Sequence, residues 1–212
     1  MDKFLNQIIC GDCLDELKKI PDESVDMVMT SPPYWALRDY GVEGQLGLEP
    51  TFQEYINRLC DIFDEVKRVL KKEGTCWVNM GDTYANSGGL SNSAPDRAGG
   101  KPKGTRGTQP SAIAKGGYER PDSGTISKCL LQIPSRFAIE MTNRGWILRN
   151  SIVWWKPNCM PSSVKDRFTV DYEMLFFFTK SKKYYFETQY EPYTEPMNRW
   201  GGDVLKANGE ST

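Results

Sequence analysis

Residues 24–35 read Ser24-Val25-Asp26-Met27-Val28-Met29-Thr30-Ser31-Pro32-Pro33-Tyr34-Trp35. Val25, Met27 and Met29 alternate, Val28 is also apolar, and two consecutive prolines end the run. Proline has no amide proton and pushes the residue before it into extended backbone. The pattern therefore predicts a buried strand over 24–30 that breaks into a stiff loop. The next signal is helical. Phe52, Tyr55, Ile56, Leu59, Phe63, Val66 and Leu70 recur at the spacing of one helix face. Thr51 and Glu54 form a capping box at its start. Lys67, Arg68, Lys71 and Lys72 gather at its carboxyl end, where they suit the helix dipole, and Gly74 is the expected cap. Thr75 to Met80 (TCWVNM) then reads as a second strand. Strand, helix, strand is the succession of a parallel α/β sheet.

On the amino-terminal side, Gln7 to Cys10 reads as a short strand ending at Gly11-Asp12, and Leu14 to Ile20 as a helix stopped by Pro21. On the other side, residues 86–125 are rich in Gly, Ser and Pro and nearly devoid of large apolar side chains, so a mobile loop is expected. Its Arg97, Lys101, Lys103, Arg106, Lys115 and Arg120 exceed Asp96, Glu119 and Asp122 by three charges. That loop is either a passive insertion or a basic arm that orders on nucleic acid. A helix over 134–144 follows, with Pro134 near its first position and Gly145 past its end. Residues 146–155 are strand-like. Residues 172–179, with Phe176-Phe177-Phe178, read as a fully buried strand, and 184–186 as its hairpin partner across Ser181-Lys182-Lys183. The expected organisation is one domain over 1–186, interrupted at 86–125, and a polar segment over 187–212.

Composition narrows the chemistry. The 212 residues carry no His and a formal charge of -1. Without imidazole, Ser-His-Asp and Cys-His hydrolases, H-E-x-x-H metalloproteases and Cys-His zinc fingers are excluded. Cys10 and Cys13 form the one C-x-x-C, with no second pair to complete a metal site, so no metal is expected. The near-neutral charge means that any nucleic-acid contact is a local patch. No secretory signal pattern opens the sequence and no apolar run approaches a bilayer's width, which reads as a soluble, cytoplasmic protein without membrane contact.

The loop Ser31-Pro32-Pro33-Tyr34 falls where a parallel sheet presents its carboxyl edge, the usual place for a ligand. Its residue types suit amine chemistry. The exocyclic amine of a nucleobase is a poor nucleophile because its lone pair is spread into the ring. The Ser31 hydroxyl and the Pro32 carbonyl can accept both N–H groups and draw the nitrogen toward tetrahedral geometry. Paired prolines fix that arrangement in advance, and Tyr34 offers a ring on which an extruded base can stack. In this feature the chain resembles the DNA amino-methyltransferases whose catalytic motif precedes the cofactor glycine motif. Ile8-Ile9-Cys10-Gly11-Asp12-Cys13-Leu14, the helix-to-strand stretch ending at Met80, and Trp154-Trp155-Lys156-Pro157-Asn158 with Met160-Pro161-Ser162-Ser163 extend the likeness over most of 5–186.

That resemblance implies a Rossmann-like α/β fold, mostly parallel with an antiparallel hairpin at its edge. It implies S-adenosylmethionine as cofactor, double-stranded DNA as partner, and membership of a restriction-modification system. Ser31, Pro32, Pro33 and Tyr34 would be catalytic. Asp12, Cys13 and Ser31 would meet the cofactor, and Asp12 alternatively caps a helix. Trp35, Trp155, Lys156 and Asn158 would line the target-base pocket, although one of Trp154 and Trp155 is expected in the core. Arg97, Lys101, Lys103, Arg106, Lys165 and Arg167 would meet phosphates, with the turn lysines Lys182 and Lys183 further candidates, and Arg38 with Asp39 would brace the loop. Residues 187–212 would begin a target-recognition region. The S-P-P-Y form is associated with N4-methylcytosine.

The family's glycine motif is not found, because no hydrophobic strand precedes Gly201-Gly202-Asp203. Either the sequence is a truncated part of a longer enzyme or a second chain completes the cofactor site; truncation is the simpler reading, and it predicts feeble cofactor binding by these residues alone. C5-cytosine chemistry is disfavoured, since no Pro-Cys pair supplies its nucleophile. N6-adenine methylation, transfer to RNA or protein, and a binding module that has lost catalysis stay open.

Overall fold

A computed structural model describes residues 4–85, 123–159 and 164–190. The expectations placed on 86–122, including Arg97, Lys101, Lys103 and Arg106, and on 160–163 and 191–212 lie outside the described residues. The elements are α1 (Cys13–Leu17), β1 (Val25–Thr30), α2 (Phe52–Val69), β2 (Leu70–Met80), α3 (Ile133–Asn143), β3 (Ile147–Trp155) and β4 (Tyr172–Thr179). Among them no helix is long and apolar enough to cross a membrane.

The four strands form one sheet in the order β1-β2-β4-β3. β1 and β2 are parallel, and β4 is antiparallel to both β2 and β3. Three strands thus point one way and β4 alone runs against them. The antiparallel hairpin lies at the edge as expected, but it is made by β3 and β4. Residues 184–186 form no ladder with β4; Tyr184 and Phe186 instead lay their rings against Phe177 at 5.6 and 6.1 Å. β3 already occupies the pairing edge they would have used.

Helix α2 begins as its capping box dictates, with Thr51 Oγ1 accepting from Glu54 N at 3.1 Å. Its stripe of Tyr55, Ile56, Leu59, Phe63 and Val66 is buried. Phe63 meets Phe137 of α3 edge-on at 5.3 Å, and Cys76, Val78, Phe176 and Phe178 of the sheet complete this core. Gly74 is not the helix cap. The backbone turns extended at Leu70, and Gly74 lies inside β2, where a Cβ would stand 2.8 Å from Asp26 O. The Lys180 ammonium caps the helix instead, donating to the carbonyls of Lys67 and Leu70.

Three further expectations are corrected. Gln7 to Cys10 is not a strand, and Ile8 is fully exposed, because no strand among the described residues is there to pair with it. β1 forms as predicted but, among the described strands, lies at an edge and is not buried; Met27 and Met29 are 52% and 64% exposed on the face that α2 does not cover. β4 is buried only over Phe176 to Thr179, since its first half reaches past the helices.

Candidate active site

Topology gathers the chemistry at one edge. Because β1 and β2 are parallel, with Thr30 beside Val78, the loop after β1 lies opposite Asn79. β4 enters, and β3 leaves, at this same edge, with Trp155 beside Tyr172 and Trp154 beside Glu173. Ser31, Asn79, Lys156 and Glu173 therefore converge from four segments.

The Ser31 hydroxyl lies 3.3 Å from Asn79 Oδ1, and the Tyr34 hydroxyl lies 3.2 Å from the same oxygen. Asn79 is aimed by its other end, where Nδ2 donates to Met174 O at 3.4 Å. With its one proton given to Asn79, Ser31 Oγ keeps its lone pairs for an incoming N–H. Tyr34 packs against Gly81, where a Cβ would come within 2.6 Å of the ring. Burial first, and the charge of Glu173 after it, push the Tyr34 phenol above its ordinary value, so it stays a neutral donor.

The loop is held from below. Tyr55 Oη donates to Pro33 O at 2.8 Å, and Ala36 N to Gly47 O at 2.8 Å. Glu49 accepts from Gly47 N at 2.8 Å and pairs with Arg58 at 3.2 Å. This bracing was expected of Arg38 and Asp39, but Asp39 is taken by Gly41 N and the Arg38 carbonyl by Gln45. A cleft of about 280 Å³ opens beside the loop, lined by Ser31, Pro32, Pro33, Tyr34, Leu37, Arg38 and Tyr40.

Trp35 is not in a base pocket. It is 3% exposed, donates through Nε1 to Glu49 O at 3.0 Å and meets Phe52 edge-on, because the turn after Tyr34 swings it inward onto α2. Neither Trp154 nor Trp155 is core; they are 53% and 62% exposed, since no described helix covers that end of β3. Trp155 Nε1 donates to Asp171 at 3.0 Å, and Lys156 pairs with Glu173. Asn158 is exposed beyond them. Asp12 caps α1, accepting from Leu14 N and Asp15 N at 3.0 and 3.3 Å through Oδ1 alone, with exposed Cys13 next to it. The Arg167 guanidinium stacks 3.5 Å from the Tyr84 ring centre, and Lys165 is exposed. Asn79 and Glu173 were missed in the sequence. Asn79 had a weak signal, a polar residue inside an apolar strand; Glu173 had none, because its place depends on β4 running backwards.

Comparison with known proteins agrees with this architecture. The DNA methylase family, N6_N4_Mtase, matches residues 25–210. The type II methyltransferase M.Cfr9I of Citrobacter freundii is 46% identical over 84% of this chain and 55% of that protein. M.XycI of Xanthomonas campestris pv. cyanopsidis is 47% identical over 84% and 56%. The chain thus spans just over half the length of these relatives. In fold it is similar to the cytosine-N4-specific PvuII DNA methyltransferase, with a TM-score of 0.53 and 22% identity over 82% of this chain and 49% of that one. A Thermus thermophilus protein complexed with S-adenosyl-L-methionine gives a TM-score of 0.51 at 20% identity, over 84% and 57%. By its sheet, its loop and its family match over most of its length, the chain belongs to the N6_N4_Mtase family of DNA methylases.

Proposed function

We propose that this chain carries the catalytic loop of a DNA methyltransferase of a restriction-modification system, acting in the cytoplasm of a bacterial, archaeal or phage-infected cell. The acceptor is the N4 amine of a cytosine swung out of duplex DNA. The observation that carries the reading is the shared hydrogen bonding of Ser31 and Tyr34 to Asn79 at the carboxyl edge of the sheet. An amide oxygen cannot serve as a base at neutral pH. Asn79 therefore orients, holding the Ser31 proton away so that Oγ accepts one amine N–H while Pro32 O accepts the other. The nitrogen lone pair is then aimed out of the ring plane, with the geometry set before the base arrives.

S-adenosylmethionine, when bound, supplies an electrophilic methyl group. We assign one side of its site to Asp12, which has Oδ2 left over from capping, to the exposed Cys13 beside it, and to Ser31 on the cleft. Further polypeptide, continuous with this chain or a second one, is proposed to supply the other side. The exposed Trp154, Trp155 and Phe168, close in sequence to Lys156, Asn158, Lys165 and Arg167, suit a surface that takes an extruded base and its phosphates. The N6 amine of adenine satisfies the same loop, and the S-P-P-Y form is what favours cytosine. The deciding experiment incubates the enzyme with DNA and labelled donor and digests the product to nucleosides. N4-methylcytosine is expected; label found only in N6-methyladenine would reassign the base, and DNA that binds without taking label would leave a binding module.

A further inference from the structure

We propose that Glu173 is the terminal proton acceptor of the methyl-transfer site, reached from the target amine through Ser31 and Tyr34. The inference rests on the reading above and extends it to a step that reading leaves without a base. Ser31 and Tyr34 are neutral hydroxyls and Asn79 is an amide. Asp82, the nearest acid in sequence to Asn79, is turned to the start of α3, where its Oδ1 accepts from Thr83 N and Ile133 N at 2.8 and 3.0 Å, while the Ser31 and Tyr34 hydroxyls bond to Asn79 and not to it. Among the described residues gathered at this edge, Glu173 alone is a carboxylate aimed at the loop. Its side chain is 18% exposed and is held by the Lys156 ammonium, which in turn sits 5.8 Å from the Trp154 ring centre. Register places Glu173 beside the Tyr34 ring: Met174 pairs with Met80, so Glu173 falls at the level of Gly81, on which Tyr34 packs, while Ser31 and Tyr34 meet on the same oxygen of Asn79. The titratable groups facing Glu173 are Lys156 from the end of β3 and Tyr34 from the loop; Asn79 of β2 and Trp154 opposite are uncharged.

Atoms and charges balance along this path. The amine nitrogen bonds to the methyl carbon while the carbon–sulfur bond breaks and its electron pair leaves with sulfur. The nitrogen then bears a positive charge and one proton more than the product. That proton moves to Ser31 Oγ once the Ser31 and Tyr34 hydroxyls have turned from their resting bonds to Asn79, so that the Ser31 proton passes to Tyr34 Oη and the Tyr34 proton to Glu173, which becomes a neutral acid and later loses the proton to water. A base of modest strength suffices, because bonding the methyl group takes the nitrogen lone pair out of conjugation with the ring and makes the charged amine strongly acidic. Lys156, which holds the carboxylate in place, therefore does not prevent it from accepting.

Two measurements on the full-length enzyme test the path. The first follows Tyr34 by NMR of ¹³C-tyrosine, assigned with Tyr34→Phe, in the absence of donor and DNA. Glu173→Gln should lower the pH at which Tyr34 ionises; an unchanged titration means that the two groups do not meet and ends the proposal whatever the substrate is. The second is the single-turnover rate against pH. Glu173→Gln should slow transfer about 10- to 100-fold and remove the acid limb of the profile, with donor and DNA affinity kept. Glu173→Asp should restore the limb in part, and formate should partly rescue Glu173→Ala. A Glu173→Gln rate within about twofold of wild type, or a slow variant that keeps the wild-type acid limb, would overturn the relay.

Discussion

Chemistry here turns on a few polar atoms whose direction is set by their neighbours. Ser31 was legible in sequence because its strand and prolines mark it. The amide that orients it was not, since a polar residue in a strand announces nothing until the opposing loop is known. Asn79→Leu should keep DNA affinity and lower the transfer rate by about 100-fold, the size of a misplacement effect in an otherwise intact site. Rapid-quench rates set against filter-binding affinity measure that split. Trp35 gives the opposite lesson. Its place next to Tyr34 suggests a base pocket, yet the turn carries it into the core. Trp35→Ala should destabilise the fold by about 3–5 kcal/mol in urea unfolding; a loss of base recognition at unchanged stability would return it to the site.

Helix α2, helix α3 and the four strands followed from periodicity, capping residues and β-branched or aromatic runs. What sequence did not convey was which strand pairs with which. Residues 147–155 and 184–186 compete for one edge of β4. The longer run wins because it supplies eight paired positions with the strand. Gly74 was misread for a related reason: its small size serves the close approach of β2 to β1, not a helix end. A Cβ there meets backbone at Asp26 and the side chain of Leu70 within 3 Å, so Gly74→Ala should cost about 1–3 kcal/mol. Thr51→Ala removes only a cap from α2 and should cost about 1 kcal/mol. Thermal melts of the two variants should rank them in that order.

At the scale of the molecule, the described residues make one side of the sheet a packed aromatic and aliphatic core and leave the other more open, with Trp77 stacked on Phe177 at 4.2 Å and β1 methionines exposed. The core controls behaviour in alkali. Burial pushes the Cys60 and Cys76 thiols up to about 12 from an ordinary 9.0. Below pH 9 both states hold these protons and the shift has no effect on the pH slope. Above it the unfolded chain ionises while the folded chain does not, so stability falls as pH rises from about 9 toward 12. Urea midpoints between pH 8 and 11 should decline, and less so in a Cys60→Ala, Cys76→Ala double variant, with alkylation reaching Cys10, Cys13 and Cys129 well before the buried pair. Equal midpoints across that range would contradict the burial assigned to these thiols.

Ser31 carries the central claim. In a single-turnover assay with saturating labelled donor and duplex DNA, the full-length enzyme should transfer methyl to DNA. Ser31→Ala should bind DNA with unchanged affinity while transfer at saturating donor falls by about 100- to 1,000-fold, the loss typical of removing one group that acts in the transition state. Ser31→Ala transferring at the wild-type rate would contradict the mechanism, because the hydroxyl held by Asn79 would then have no part in activating the amine.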